Sequence, residues 1–512
     1  MREIAQDASR RVKTYLPFLL LYFAFGLTSA IDVAVYFWQK DILGFSPIDS
    51  QLIGFWAGVP WMVKILFGQC IDKRPLFGSQ RQTYIFVGAT CVVIAYLMFM
   101  GIALNWSFIA SPGAALKLYY IAAVLAAAGL VLQDAVADAM KADITPKNDN
   151  VEARTIQMYG QVATSLGMLI AAACAGGLAI LGKEHGYHVI FFPVFLATAI
   201  SIIGAILWRH KSMVEQAKWN VPILASSIVF ALLVLGVAFF DLPAKAEIVW
   251  GASLIALGLY LFALCRKIDR EEILLLLSTV AVVFVFRSLP GAGVGYRWWQ
   301  TDVLQFDETF FGLLQIFGCL LGFFGLSALI PWISKYSVAP LLGILTVFQT
   351  VLSLPPIGMF FGLHHWTESH FGFGARMITF VDLTISSPFG QISMVPMQAL
   401  FALLSIRFGS KATLCALTAC IMYVSMSTST ISTNWLAELL PVWQATGSTP
   451  ADYSNMGPIL IFTTALSFAV PLLTIFAFRR QLDFRSSDYL ELEDSPRKAR
   501  GPSPGAYELA TA

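Results

Sequence analysis

The sequence predicts an all-α protein that uses the lipid bilayer as its solvent, and three observations predict it. Of 512 residues, 57% are hydrophobic and 12% are charged, against roughly 45–50% and about 25% in soluble domains. The apolar residues gather into runs of about 20, the length a helix needs to cross roughly 30 Å of hydrocarbon. Lys and Arg are also lopsided: taking alternate connections as one side, 22 fall there, before Arg497, Lys498 and Arg500 of the C-terminal stretch, and six on the other, and the basic side is expected to face the cytoplasm. Lipid offers no hydrogen bonds to a backbone, so an apolar run that crosses it must be helical or part of a closed barrel. Runs this long suit helices.

The runs order themselves along the chain. After a charged N-terminal segment (1–14), six spans are expected near 15–38, 52–71, 83–104, 116–140, 155–182 and 188–208. A linker over 209–271 holds two extra spans near 221–241 and 247–265. Six more follow near 272–293, 308–333, 338–362, 376–405, 411–436 and 457–478, so the bundles occupy 15–208 and 272–478. This gives about 14 helices; removing the middle pair leaves the charge asymmetry unchanged, so charge does not separate 12 from 14. Both termini fall on the basic side. Residues 479–512 are rich in Ser, Pro and charge and lack an apolar period, which predicts a disordered cytoplasmic tail. The first run is too long for a signal-peptide core and is expected to remain as a span.

Several function classes are excluded or disfavoured. A net charge of +2 supplies no basic face for nucleic acid. The seven cysteines form no CxxC pair and lie mostly in apolar runs, where they act as small hydrophobes. No GxxxxGK[ST] phosphate loop is present, because Glu184 follows the run Gly177 to Lys183 where Ser or Thr is required, which argues against direct ATP drive. Gly291, Gly293 and Gly295 are not a dinucleotide loop, because Tyr296 stands where the third glycine belongs. His364, His365, Glu368 and His370 are irregularly spaced in a connection and read as a solvated loop; no metal and no cofactor is expected.

The two sets of six resemble each other. Tyr36 to Phe45 reads YFWQKDILGF and Arg297 to Phe306 reads RWWQTDVLQF. Trp38 and Trp299, Gln39 and Gln300, Asp41 and Asp302, Leu43 and Leu304, and Phe45 and Phe306 all match at an offset of 261. Five matches at one offset, each at the end of the first span of its set, favour duplicated six-helix halves.

After the second span stands Gly68, then Asp72, Lys73 and Arg74, with Gly78 and Arg81 beyond. This resembles the signature loop of the major facilitator superfamily. The glycine would permit close helix approach, and the charges could latch the halves on the cytoplasmic side as a gate. Four further stretches resemble the folate-biopterin transporter family within that superfamily. They are Pro60-Trp61 through Lys64, Gly68 and Asp72; Gln133-Asp134 through Asp138; Asp382 with Gly390-Gln391-Ile392, Met394 and Pro396; and Lys411 through Leu417. Ile65 stands where the family usually has proline, and Lys411 where it has Glu. Muropeptide permeases share the fourth-span acidic pattern and can carry two inserted helices, so they are the second family considered. The resemblance implies a major facilitator fold and a carrier of folate, pterin or another organic anion.

An ionisable residue inside a span is costly and marks a solute path, a proton relay or an ion pair. Those residues are Asp32, Lys64, Asp134, Asp138, Arg287 and Asp382. Asp134 and Asp138 are four apart and share one helical face, a candidate proton-carrying pair, although Asp138 could simply pair with Lys141 or Arg154. Asp32 and Lys64 could pair with each other. Arg287 is the candidate for holding a solute carboxylate, and the resemblance adds Gln391. The amino-pyrimidinone edge of a pterin suits Asp, while the glutamate tail of a folate suits Arg or Lys. The expectation is a monomeric secondary transporter in a bacterial inner or plasma membrane, working by alternating access as a proton symporter. A membrane-embedded enzyme or a non-transporting receptor is the alternative of another class.

Overall fold

The computed structural model describes residues 2–73, 79, 81–106, 112–144, 150–209, 221–239, 244–266, 269–333, 336–393, 396–397, 400, 411–443 and 451–482. Among them the regular structure is helical, apart from isolated bridge residues such as the pair Trp443 and Asp452. The first six expected spans appear as α1 (Arg2–Leu27) and α2 (Asp32–Phe37), α3 (Pro47–Met62) and α4 (Lys64–Lys73), α5 (Gln82–Ala103), α6 (Pro112–Ile144), α7 (Asn150–His185) and α8 (Phe192–Leu207). The middle pair is α9 (Val221–Phe239) and α10 (Lys245–Cys265). The remaining spans are α11 (Arg270–Ser288) with α12 (Gly293–Asp302), α13 (Glu308–Ile333), α14 (Val338–Leu352) with α15 (Leu354–Phe360), α17 (Ala375–Ile392), α18 (Lys411–Leu439) and α19 (Met456–Phe478). The stretch expected as a solvated loop is a short exposed helix, α16 (Leu363–Phe371). The left-handed residues Gly362 and Gly372 bound it at its two ends.

Among the described residues, eleven stretches are long and apolar enough to cross a membrane. The expected spans at 221–241, 376–405 and 411–436 correspond to α9, α17 and α18, which stand outside that count. The stretch 401–410 and the tail from 483 lie outside the described residues.

The chain forms two compact units. One comprises Met1–Phe45, Trp56–Ile228 and Asp307–Cys319; the other comprises Ser46–Phe55, Val229–Phe306 and Leu320–Ala512. In the first, a core of Phe18, Tyr84, Ile85, Val136, Met140 and Ile156 ties α1, α5, α6 and α7 together. Small residues let helix backbones approach where lipid supplies no hydrophobic drive between them. On α7 and the start of α13, a Cβ added at Gly312 would lie 2.7 Å from the Gly176 Cα. In the second unit, α10 docks on α18, where the Trp250 indole N–H donates to Thr428 Oγ1 at 2.9 Å.

The repeat found in the sequence recurs in the backbone, residue for residue. The N–H of Phe45 donates to the Gln39 carbonyl at 3.1 Å, and the N–H of Phe306 donates to the Gln300 carbonyl at the same distance. The preceding residues, Gly44 (φ 62°) and Gln305 (φ 56°), are both left-handed. That costs glycine nothing and an ordinary L-residue about 1–2 kcal/mol. One residue on, Ser46 Oγ accepts from the Asp49 N–H at 3.1 Å and Asp307 Oδ1 accepts from the Phe310 N–H at 2.8 Å. These caps start α3 and α13, and every pair keeps the offset of 261.

The first span of each half is also interrupted at matching places. In the first, a 3-10 turn over Thr28–Ile31 separates α1 from α2. In the second, helix stops at Ser288 and restarts at Gly293 within a continuous apolar stretch, Glu272–Asp302. Pro290 lacks the N–H that would carry the helix through.

Candidate functional site

The ionisable residues of the first unit converge on Lys64. The helix of the second span breaks at Val63, and α4 starts with Lys64, whose Nζ reaches Asp134 Oδ2 at 2.6 Å and Asp138 Oδ2 at 2.8 Å. The spacing of four places both carboxylates on one face of α6, so a single ammonium serves both. Asp138 Oδ1 is held from the other side by Lys141 Nζ at 2.9 Å and by the Tyr22 hydroxyl, which donates at 2.6 Å. Lys141 also lies 4.7 Å from the centre of the Tyr22 ring. Two cations and two carboxylates thus form one network of zero net charge, with the Asp134 side chain 15% and the Asp138 side chain 45% exposed.

A small cavity, with room of about 20 Å³, opens beside Asp134, between α1, α6 and α8. Its polar lining is Tyr22, Thr28, Gln133, Asp134, Thr198 and Ser201. Thr28 belongs to the 3-10 turn that interrupts the first span, so cavity, helix break and ion network adjoin one another. This arrangement can hold a polar solute group or water against a carboxylate whose cation is shared with a neighbour.

The other expected residues are placed as follows. Asp32 is the first residue of α2 and is exposed; Lys64 is engaged by Asp134 and Asp138 rather than by Asp32. Asp138 keeps its Lys141 partner in addition to Lys64. Arg287 is half-buried in the last turn of α11, in the second unit. Asp382 lies on α17 of the same unit, half-buried, with Oδ1 out of water and no protein hydrogen bond. Gln391 is the penultimate residue of the same helix, and its side chain lies outside the described residues. Of the gate residues, Arg81 is 5% exposed and forks onto Asp143, with Nε to Oδ2 at 2.9 Å and Nη2 to Oδ1 at 3.0 Å. Gly68 has open space where a Cβ would stand, so close packing there is not made by described atoms. The side chains of Asp72 and Lys73, and all of Arg74, lie outside the described residues.

Sequence reasoning missed Tyr22 and Asp143. A search for charge passes over a phenol, and nothing in the spacing marks Tyr22. Asp143 sits past the expected end of its span and gains significance only because α6 runs on to Ile144. Among the described residues no group of three or more His, Cys, Asp or Glu could hold a metal; on α16 the ring centres of His364 and His365 lie 3.9 Å apart, tilted by 41°.

Comparison with known proteins now bears on this geometry. The sequence pattern of the BT1 family matches residues 26–492. The folate-biopterin transporter of Synechocystis sp. is 23% identical over 486 residues, covering 94% of this chain and 84% of that protein. The probable folate-biopterin transporter 2 of Arabidopsis thaliana is 25% identical over 172 residues, covering 33% of this chain and 32% of its own. Among solved structures, a POT family transporter in complex with a thioalcohol-conjugated peptide superposes with a TM-score of 0.66 at 14% identity. That match covers 92% of this chain and 96% of the other. A nucleoside transporter gives 0.56 at 11% identity, with coverage of 92% and 100%. These likenesses carry the fold.

Proposed function

The chain belongs to the BT1 family, and from that premise we propose that it carries a folate or pterin across the membrane by alternating access, coupled to protons. It is a multi-pass membrane transporter of a small molecule and not an enzyme. The finer reading is a monomeric proton symporter of a bacterial inner or plasma membrane with both termini in the cytoplasm. In it, bundles 15–208 and 272–478 rock about a shared solute path, and 209–271 is an inserted pair.

The observation that supports this reading is the sharing of Lys64 between Asp134 and Asp138 at 2.6 and 2.8 Å beside a polar cavity. A proton on Asp134 would cancel one of the two attractions and leave Lys64 to Asp138. Loss of that proton would draw it back. A solute carboxylate entering the cavity would compete for the same ammonium, which ties occupancy to protonation by direct electrostatics. The relatives named as folate-biopterin transporters supply the solute class.

The test is uptake of labelled folate, biopterin and a muropeptide into proteoliposomes, with and without an inward proton gradient. Gradient-stimulated uptake of folate or biopterin is expected. Uptake indifferent to the gradient removes proton coupling. Uptake of the muropeptide alone moves the assignment to the second family considered, whose inserted helix pair has its counterpart in α9 and α10.

A further inference from the structure

The break between α11 and α12 is built from one face of α18. Ser429 Oγ donates to the Leu289 carbonyl at 2.7 Å and Thr433 Oγ1 accepts from the Gly291 N–H at 3.0 Å, while Ser432 Oγ donates to the Thr428 carbonyl of its own helix at 2.8 Å. Non-helical backbone persists at membrane depth only where protein or a cavity satisfies it, and the Ser429 and Thr433 hydroxyls do so here. The next residue departs from the pattern. Asn434 is 3% exposed, and its Oδ1 is out of water with no hydrogen-bond donor. A buried amide oxygen left so costs about 1–3 kcal/mol, a cost that persists where something absent from the folded chain repays it.

Asn434 lines a small cavity, with room of about 20 Å³, whose wall is Gly291 to Gly295, with Gln51 and Thr433. α12 begins on that wall, and no side chain caps its first turn, so its leading N–H groups keep their donors and their partial positive charge. Gly293 (φ 65°) is required there, since a Cβ would lie 2.9 Å from Thr433 Cγ2. The free room is that of a water-sized group, so the site receives an edge and not a whole ring. The matching interruption at Thr28–Ile31 also borders a cavity. Interrupted spans at corresponding places in two repeats are the strongest sequence-level pointer to a solute site.

We propose that this cavity is a subsite for a cyclic amide edge. The first-turn N–H groups of α12 donate to its carbonyl oxygen, and Asn434 Oδ1 accepts from the adjacent ring N–H. Such an edge sets donor and acceptor side by side, so it satisfies the Asn434 amide in either orientation. A carboxylate would meet the N–H groups but leave Oδ1 unpaired, and an ammonium would do the reverse. A pyrimidinone ring carries this edge, so the inference rests on the pterin reading above and deepens it.

The test is isothermal titration calorimetry on the purified full chain. The probes are biopterin and a 2,4-diaminopteridine, whose amino group replaces the ring carbonyl. The wild type is expected to favour biopterin. Asn434→Leu is expected to weaken biopterin binding tenfold or more, and Asn434→Asp, an acceptor on both oxygens, to shift preference toward the diamino compound. Should Asn434→Leu fail to give a monodisperse protein, Gln51→Leu and Asn434→Asp carry the same comparison. Wild-type binding of biopterin with affinity and preference unchanged in the variants overturns the subsite, leaving only an ordered water there and the transport reading intact. Absence of pterin binding and uptake by the wild type overturns the pterin reading, and the subsite with it.

Discussion

Replacing Lys64 with Met keeps the length of the side chain and removes its charge. Asp138 would retain Lys141 and the Tyr22 hydroxyl at 2.9 and 2.6 Å. Asp134 would lose the cation 2.6 Å away, with its side chain 15% exposed. Removing one partner of a buried pair costs about 3–5 kcal/mol. The lower end applies here, because Lys64 is 21% exposed and water reaches it, so about 3 kcal/mol is expected. At about 2 °C per kcal/mol for a long chain, Lys64→Met should lower the thermal unfolding midpoint in detergent by about 6 °C. Adding Asp134→Asn removes the stranded carboxylate and should recover most of that loss. Fluorescence-monitored unfolding of the two single variants and the double variant closes the cycle. A Lys64→Met protein as stable as the wild type, or a double variant no better than it, would refute the shared-cation account.

Other outcomes follow from the same structure. Asp134→Asn should insert and purify normally yet abolish gradient-driven uptake in proteoliposomes; unchanged uptake defeats the coupling assignment. Arg81→Lys keeps the charge but loses the two-pronged grip on Asp143, and should cost about 1–2 kcal/mol in denaturant unfolding. Gly312→Leu drives a side chain into the Gly176 backbone and should cost about 1–3 kcal/mol, read as a lower midpoint. Partial burial and the neighbouring His365 hold the His364 imidazole below its usual range. Between that lowered value and about 6.5 the unfolded chain binds more protons, so its contribution to stability is present above about 6.5 and is lost as pH falls through that window. Histidine-labelled NMR should show His364 titrating below about 6.5, and a midpoint above that value would contradict the packing of α16.

Much of the fold could be read in advance because lipid leaves the backbone few options. The run at 308–333 is α13 to the residue, and 457–478 differs from α19 by one. The interruptions were less legible. Apolar periodicity passes through Thr28–Ile31 and Ser288–Ala292 without changing, and only Pro290 and its glycines hint at the second. Within the site, the spacing of Asp134 and Asp138 announced a shared face, but which cation would reach them depended on the rotation of α4 after the break at Val63. That rotation is set by packing, and so the Asp32 pairing with Lys64 was an equally good reading of the letters. Asn434 was hidden because a search for charge ignores amides, although an Asn at the end of a Ser- and Thr-rich face was a signal available in the sequence.

The repeated corner at Gly44–Phe45 and Gln305–Phe306 gives the molecule an internal control of its own. The same hydrogen bond is closed by a glycine in one copy and by glutamine in the other, so the pair is a natural substitution experiment carried out inside a single chain. Glycine yields to bending that a side chain resists, and the first copy is accordingly the softer of the two elbows. A duplicated architecture with one stiff and one compliant joint need not move evenly, and the asymmetry is written at two residues where engineering can exchange it.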